Sequence, residues 1–396
     1  MKSETYTRKM KEDKPVVAIC YDFDKTLSPM NMQEGFIKSV GKEVDLFWKN
    51  SNGFAKSNDM DQNLAYMYMM IRESEGKLVF TKKMLEAYGS EVTLYPGVEE
   101  WFNRITEYGK EKGIIVEHYI ISSGLREMIE GTKPAKNGAF EKIFASSFYY
   151  DENNVARWPA QVINYTSKTQ FLFRIEKGTL DINDPGVNEF FPLDKRRVPF
   201  RNMVYIGDSD TDIPCMRLVN TYGGYSIGVY NSESNDKSKV YQMMRDGRIK
   251  YFVEADYSKG TELDLLIKNI IDRTAANELL EEAHYRCTAE LKRVDVRMDE
   301  EQKRKVQLIN RLEESNSFIS TFTIIEEMEK ISDWTDEEIQ RLCAVAHNNI
   351  QVTLVLRESP VSNFFNRLTE HEKGGGKYVD WVKYALKKDD YKLKGN

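Results

Sequence analysis

Three short, unbroken apolar runs stand out along the 396-residue chain: Val16 to Tyr21, Tyr119 to Ile121 and Met203 to Ile206. Each is too short for a helix, is rich in β-branched residues and stops abruptly at polar residues or glycine, which predicts buried strands. Continuous rather than alternating hydrophobicity means both faces are covered, as in a parallel sheet flanked by helices. The segments between carry helical periodicity, for example VEEWFNRITEY over 98–108, which opens after Pro96-Gly97. The pattern predicts an α/β fold with right-handed crossovers.

Residues 29–92 depart from this pattern. Helical stretches such as DQNLAYMYMMIRES alternate with glycine and Ser/Asn clusters and carry little strand signal, so an inserted all-helical subdomain is expected. Its stripe Leu64, Met67, Tyr68, Ile71 follows helical spacing and reads as a core face. The segment 140–166 predicts a β-hairpin or flap around Asp151-Glu152-Asn153-Asn154, with Trp158-Pro159 packing it. From about residue 273 the chain becomes charge-laced and helical, and Thr335-Asp336-Glu337-Glu338 forms a capping-box pattern. The expected domains are therefore a core of 1–28 and 93–272, a cap of 29–92, and a C-terminal helical domain of 273–396. The lysine-rich end from Lys383 reads as a solvated tail.

Charge and cysteine usage narrow the function classes. Lys and Arg number 57 against 63 Asp and Glu, a net charge of −6, so no large positive field collects nucleic acid. Cys20, Cys215, Cys287 and Cys343 are scattered, with no C-x-x-C pair, and the four histidines are dispersed, which argues against a disulfide framework or a zinc site. The N-terminus lacks an apolar signal segment and no run of 18 apolar residues occurs, so a reduced, cytoplasmic protein is expected.

The chemistry lies where the strands end. The first runs into Asp22-Phe23-Asp24-Lys25-Thr26-Leu27, the second into Ser122-Ser123-Gly124, the third into Gly207-Asp208-Ser209-Asp210-Thr211-Asp212. In an open parallel sheet, ligands bind beyond the carboxyl ends of the strands. Asp22 and Asp24 fall on one side of an extended chain, where they repel unless a cation or proton is shared. Carboxylates without clustered His or Cys suit a hard cation, Mg²⁺ above all. His118, inside a strand run, reads as a satisfied core histidine.

DFDKT, the serine motif, a downstream lysine and GDSDTD, in that order, resemble the four motifs of the haloacid dehalogenase-like superfamily. The helical insert directly after DFDKT resembles the cap of its phosphoserine-phosphatase-like branch. The resemblance spans residues 15 to about 272. It implies a Rossmann-like three-layer core and a Mg²⁺-dependent phosphatase acting on a small phosphorylated metabolite. It further implies Asp22 as nucleophile, Asp24 as general acid and base, and Ser122, Lys168 and Thr26 around the phosphate. The metal set it implies is Asp22, Asp24 through its carbonyl, Asp208, and Asp212 in an outer or water-mediated role. Ser123 is the alternative to Ser122, and Lys177 the alternative to Lys168. A phosphotransferase, or a regulatory protein whose C-terminal helices recruit a partner or a second copy, are the other readings.

Overall fold

The computed structural model describes residues 6–192, 195–234, 236–295, 300–371 and 375–387. The chain forms two compact units, Met1–Glu281 and Glu282–Asn396.

The first unit is built on seven strands: β1 (Val16–Tyr21), β2 (Ile115–Leu125), β3 (Lys142–Tyr150), β4 (Ala156–Gln161), β5 (Met203–Gly207), β6 (Tyr225–Tyr230) and β7 (Tyr251–Glu254). Their order is β4-β3-β2-β1-β5-β6-β7. All pairs are parallel except β3 with β4. Every residue of β1 is buried, as its unbroken apolar run requires. Val17, Ile19 and Tyr21 enter one apolar layer, while Val16, Ala18 and Cys20 enter the other. One strand therefore nucleates both halves of a three-layer sandwich. The chain proceeds from β1 to β2 on one side and later returns to β5 on the other. The crevice where strand order reverses thus opens beyond Tyr21 and Gly207, at Asp22 and Asp208.

Between β1 and β2 lie α1 (Glu34–Ser39), α2 (Val44–Ser57), α3 (Gln62–Ser74) and α4 (Lys82–Ser90), followed by α5 (Val98–Glu111). The ends of this helical excursion meet, because the Tyr95 N–H donates to the Leu27 carbonyl at 2.9 Å. After β2 come α6 (Arg126–Gly131) and α7 (Lys133–Lys136), then α8 (Thr169–Lys177), α9 (Ile213–Thr221), α10 (Ser238–Arg245) and α11 (Glu262–Asp295). Trp101, Phe102 and Ile105 of α5 cover one sheet face together with Leu263 and Ile267 of α11. Phe171 and Ile175 of α8 and Cys215, Met216 and Val219 of α9 cover the other.

Two glycines bring α4 against α6. A Cβ at Gly89 would stand 1.9 Å from the Met128 carbonyl oxygen, and one at Gly131 would stand 2.0 Å from that of Glu86. Backbone cannot yield as a side chain end can. Gly131→Ala is expected to cost about 2 kcal/mol, read as a lowered thermal midpoint.

The structure corrects several expectations. β2 extends well beyond Tyr119–Ile121, and its N-terminal flank carries Glu117 and His118, which are buried and satisfied. Glu117 accepts two hydrogen bonds of 2.6 Å from Arg197 and others from Lys9 and Tyr119. Burial opposes its charge, but these partners outweigh it and hold the carboxyl down at about 2. His118 meets the Tyr21 hydroxyl at 2.9 Å and the Phe102 carbonyl at 3.2 Å, and burial depresses it to about 4, in accord with a neutral core histidine. The expected β-hairpin is present, β3 and β4 pairing antiparallel across residues 151–155, while β3 also pairs parallel with β2 inside the sheet. Trp158, opposite Tyr149 in the β3–β4 pair, is 67% exposed and so stands mostly in solvent. On α3 the buried face is Ala65, Tyr66, Met67, Met69 and Met70, whereas Tyr68 is turned out and stacks on Phe54. The helix lies between α2 and the core, which widens and rotates its apolar face.

The Glu117–Arg197 pair makes a stability prediction. A carboxyl held at about 2 when folded, against about 4.5 when unfolded, contributes about 3 kcal/mol above pH 4.5, lost as pH falls through 2. Arg197→Met leaves a buried charge short of its main partner and is expected to cost about 3 kcal/mol at pH 7 by urea denaturation. The penalty shrinks in acid, where Glu117 takes up a proton.

The second unit holds α12 (Glu300–Glu313), α13 (Phe318–Met328), α14 (Asp336–Asn348), α15 (Ile350–Val355), α16 (Val361–His371) and α17 (Lys377–Lys387) around Leu308, Leu312, Ile325, Leu342, Phe364 and Phe365. The capping box is present: the Thr335 hydroxyl accepts from the Glu338 N–H, and the Glu338 carboxylate accepts from the Thr335 N–H. The change of character near residue 273 falls inside α11, which runs unbroken from 262 to 295. The lysine-rich end beyond Lys387 lies outside the described residues. No described helix is long and apolar enough to cross a membrane.

Candidate active site

β1 delivers Asp22 at its end, and the Asp22 N–H donates to Ile206 of β5, which locks the two strand ends side by side. The chain then turns tightly: the Thr26 and Leu27 N–H groups both bond the Phe23 carbonyl. β5 ends in Gly207, where a Cβ would stand 2.5 Å from Asp212 Oδ2. Only glycine lets the following loop curl Asp212 back under the strand. Asp22, Asp208 and Asp212 offer carboxylate oxygens that all lie within 4.8 Å of one another.

Lys168 comes from a short 3-10 turn, Tyr165–Lys168, that leads into α8. Its side chain is fully buried, 2.7 Å from Asp212 and 3.3 Å from Asp22. Burial alone would strip its proton, but the two carboxylates outweigh it and raise its pKa. Asp212 is committed on both oxygens: Oδ1 accepts from Lys168 and the Tyr205 hydroxyl, Oδ2 from the N–H and hydroxyl of Ser209. Lys177 is elsewhere, donating to the carbonyls of Val187 and Glu189. The long interval between Lys168 and Asp208 contains the segment 179–184, which winds around the buried Arg174, a donor to the carbonyls of Thr179, Asp181, Ile182 and Asp184.

The two serines near the end of β2 divide. Ser122 is buried beside Asp22, whose carboxyl it helps hold down, and its hydroxyl accepts from the Gly124 N–H at 3.1 Å. Ser123 instead presents its carbonyl to the cap: the Tyr66 hydroxyl donates to it at 2.9 Å. Asp24 Oδ1 accepts from the Met32 N–H, so the start of the cap holds the second carboxylate of the first motif. Thr26 is fully buried and its hydroxyl has no partner within the described protein. Arg72 is exposed and Glu73 pairs with Lys42 and Lys77, so both belong to the outer surface of the cap.

The electrostatics ask for positive charge. Burial pushes Asp22 up to about 6, Asp208 to about 7 and Asp24 to about 8, with neighbouring carboxylates adding to it in each case. Lys168 pairs directly with Asp22 and Asp212, while Asp24 and Asp208 have no ion-pair partner among the described residues. An all-oxygen, carboxylate-rich set in this state fits a hard divalent cation such as Mg²⁺.

Tyr66 and Tyr205 went unremarked in the sequence. Tyr205 alternates to the opposite sheet face from Ile206, which could have marked it as reaching under the strand end; Tyr66 gave no such sign.

These features define a hydrolase of known family. Residues 19–217, half of the chain, match the haloacid dehalogenase-like hydrolase family, and the chain belongs to it. An uncharacterized protein of Borreliella burgdorferi is 28% identical over 282 residues, covering 64% of this chain and 96% of that protein. Among solved structures, a haloacid dehalogenase family hydrolase of Salmonella enterica serovar Typhi is 19% identical, covers 66% of this chain and 73% of its own, and gives a TM-score of 0.43. A probable phosphoserine phosphatase of Vibrio cholerae is 12% identical, with 67% of each chain covered and a TM-score of 0.42.

Proposed function

We propose that the protein hydrolyses small phosphomonoesters through an aspartyl-phosphate at Asp22, with Mg²⁺ as cofactor. The observation that carries this reading is the pair Asp22 and Asp24 at the switch point, with Lys168 3.3 Å from Asp22. Asp22 attacks phosphorus in line with the departing alkoxide; the P–O bond to the alcohol breaks as the carboxylate–phosphorus bond forms. Asp24, which burial keeps predisposed to hold a proton, gives it to the departing oxygen and later takes one from the water that cleaves the acyl-phosphate. Lys168 and Ser122 meet the equatorial phosphoryl oxygens, where charge is spread in the transition state. Asp212 keeps Lys168 charged and aimed.

Asp22, Asp208 and the Asp24 carbonyl would hold Mg²⁺, with Asp212 reaching it through water. When bound, the ion offsets the crowded carboxylate charge and orients the phosphate. An acid at position 24 favours phosphate over halide as the group acted upon, since a halide leaves without a proton. The helices 34–90 form the cap that shields the site, and Tyr66 ties it to the floor at Ser123. The test is hydrolysis of an aryl phosphate in Mg²⁺ and in EDTA. Turnover that needs the metal is expected; turnover undiminished by EDTA overturns the reading.

A further inference from the structure

Asp208 and Pro29 line part of an open groove of about 370 Å³. Its wall carries Lys25 from the first motif loop and Lys239 from α10, together with Tyr95 and Asn231. Neither lysine makes an ion pair or a side-chain hydrogen bond among the described residues, although 27 ion pairs are formed elsewhere. Of the groove's two acids, Asp236 is spent on the Ser238 N–H at 2.9 Å, while Asp208 feels the charge of both lysines without a direct ion pair.

Lys25 also sits at a costly place. Its φ is +59°, in the left-handed region where glycine is free of strain and a long side chain is not. A strained, exposed cation that attracts Asp208 and Asp24 from a distance but makes no direct ion pair among the described residues is free to meet a partner outside the chain. Among the described residues, no buried side chain between 29 and 92 is ionisable except the tyrosine Tyr66.

We propose that this groove is a second anion subsite, and that the substrate carries another phosphate or carboxylate on its leaving group, met by Lys25 and Lys239. The inference rests on the phosphomonoesterase reading above. One substrate end lies against Asp22 and Lys168, while its far end crosses the Asp208 loop to the two lysines. Asn231 can donate to the same anion and Tyr95 can cover the linker.

The test uses the full-length protein with Mg²⁺ and three families of linear alkyl monophosphates of equal chain length, ending in a hydroxyl, a carboxylate or a second phosphate. The kcat/KM for an anionic terminus is expected to exceed that for the hydroxyl about tenfold at low salt, two partly exposed charge pairs each contributing up to about 1 kcal/mol. The carboxylate and bisphosphate arms tell which anion is taken. The preference is expected to collapse in Lys25→Gln/Lys239→Gln, survive in Lys25→Arg, and fade as salt is raised. Equal turnover of charged and neutral termini, or a preference that persists in the double glutamine variant, overturns the proposal while leaving the phosphatase intact. Calorimetric binding of the same compounds to wild-type protein covers the other case. If nothing is hydrolysed but binding keeps the lysine-dependent preference, the subsite stands and the phosphatase reading falls; no preference in either measurement removes the subsite.

Discussion

Asp22→Asn is expected to lower hydrolysis of an aryl phosphate by at least about 10⁴-fold, because the amide oxygen is a far weaker nucleophile and the two-step path is lost. The change is isosteric, and Lys168 keeps its 2.7 Å pair with Asp212, so the fold is expected to survive with an unaltered thermal midpoint. A phosphoryl label should remain on acid-precipitated wild-type protein after a brief turnover and be missing from the variant. A variant that keeps more than a few per cent of the rate, or takes up label, would show that another group attacks.

Asp24→Asn separates the acid from the nucleophile. With an alkyl phosphate the leaving alkoxide needs a proton, and the loss is expected to be about 10²–10⁴-fold. With p-nitrophenyl phosphate the leaving group departs without one, so the first step is spared and only the activation of water suffers. The comparison therefore reads proton donation directly. Burial raises Asp24 toward the protonated form that donation requires, and bound Mg²⁺ acts in the opposite direction. Equal losses on both substrates would give Asp24 a structural part in the loop, through its hydrogen bond to the Met32 N–H, and no part in the proton's path.

How much of this could be read from the chain follows from where each residue gets its constraint. β1 and the start of β5 were plain, because strands buried on both faces are written in unbroken apolar residues and their acids follow at once. β2 was half visible: Glu117 and His118 interrupt its run, and only the distant Arg197 and Tyr21 make them acceptable inside. β6 and β7 were missed. Gly228 breaks the first of them because a Cβ would stand 2.8 Å from Ile249, and only two residues of the four-residue β7 are apolar without a hydroxyl. Lys168 could be proposed from its place ahead of a helix, yet its neighbour Asp212 is set by the curl at Gly207, which the spacing alone does not disclose. The cap's helices were evident from their periodicity, but which side faces in was decided by the neighbours of α3.

The hydrogen bond between Tyr95 and Leu27 gives the helical excursion a narrow neck, entered and left at nearly the same point of the sheet. Such a segment can be exchanged by recombination without cutting a strand or moving Asp22, Lys168 or Asp208. Selectivity and chemistry can then diverge on separate clocks: new lids tried on an old engine. The graft has one fixed requirement, a residue without a side chain where its last helix meets Met128, and a groove bordered by Lys25 and Lys239 would stay behind with the engine.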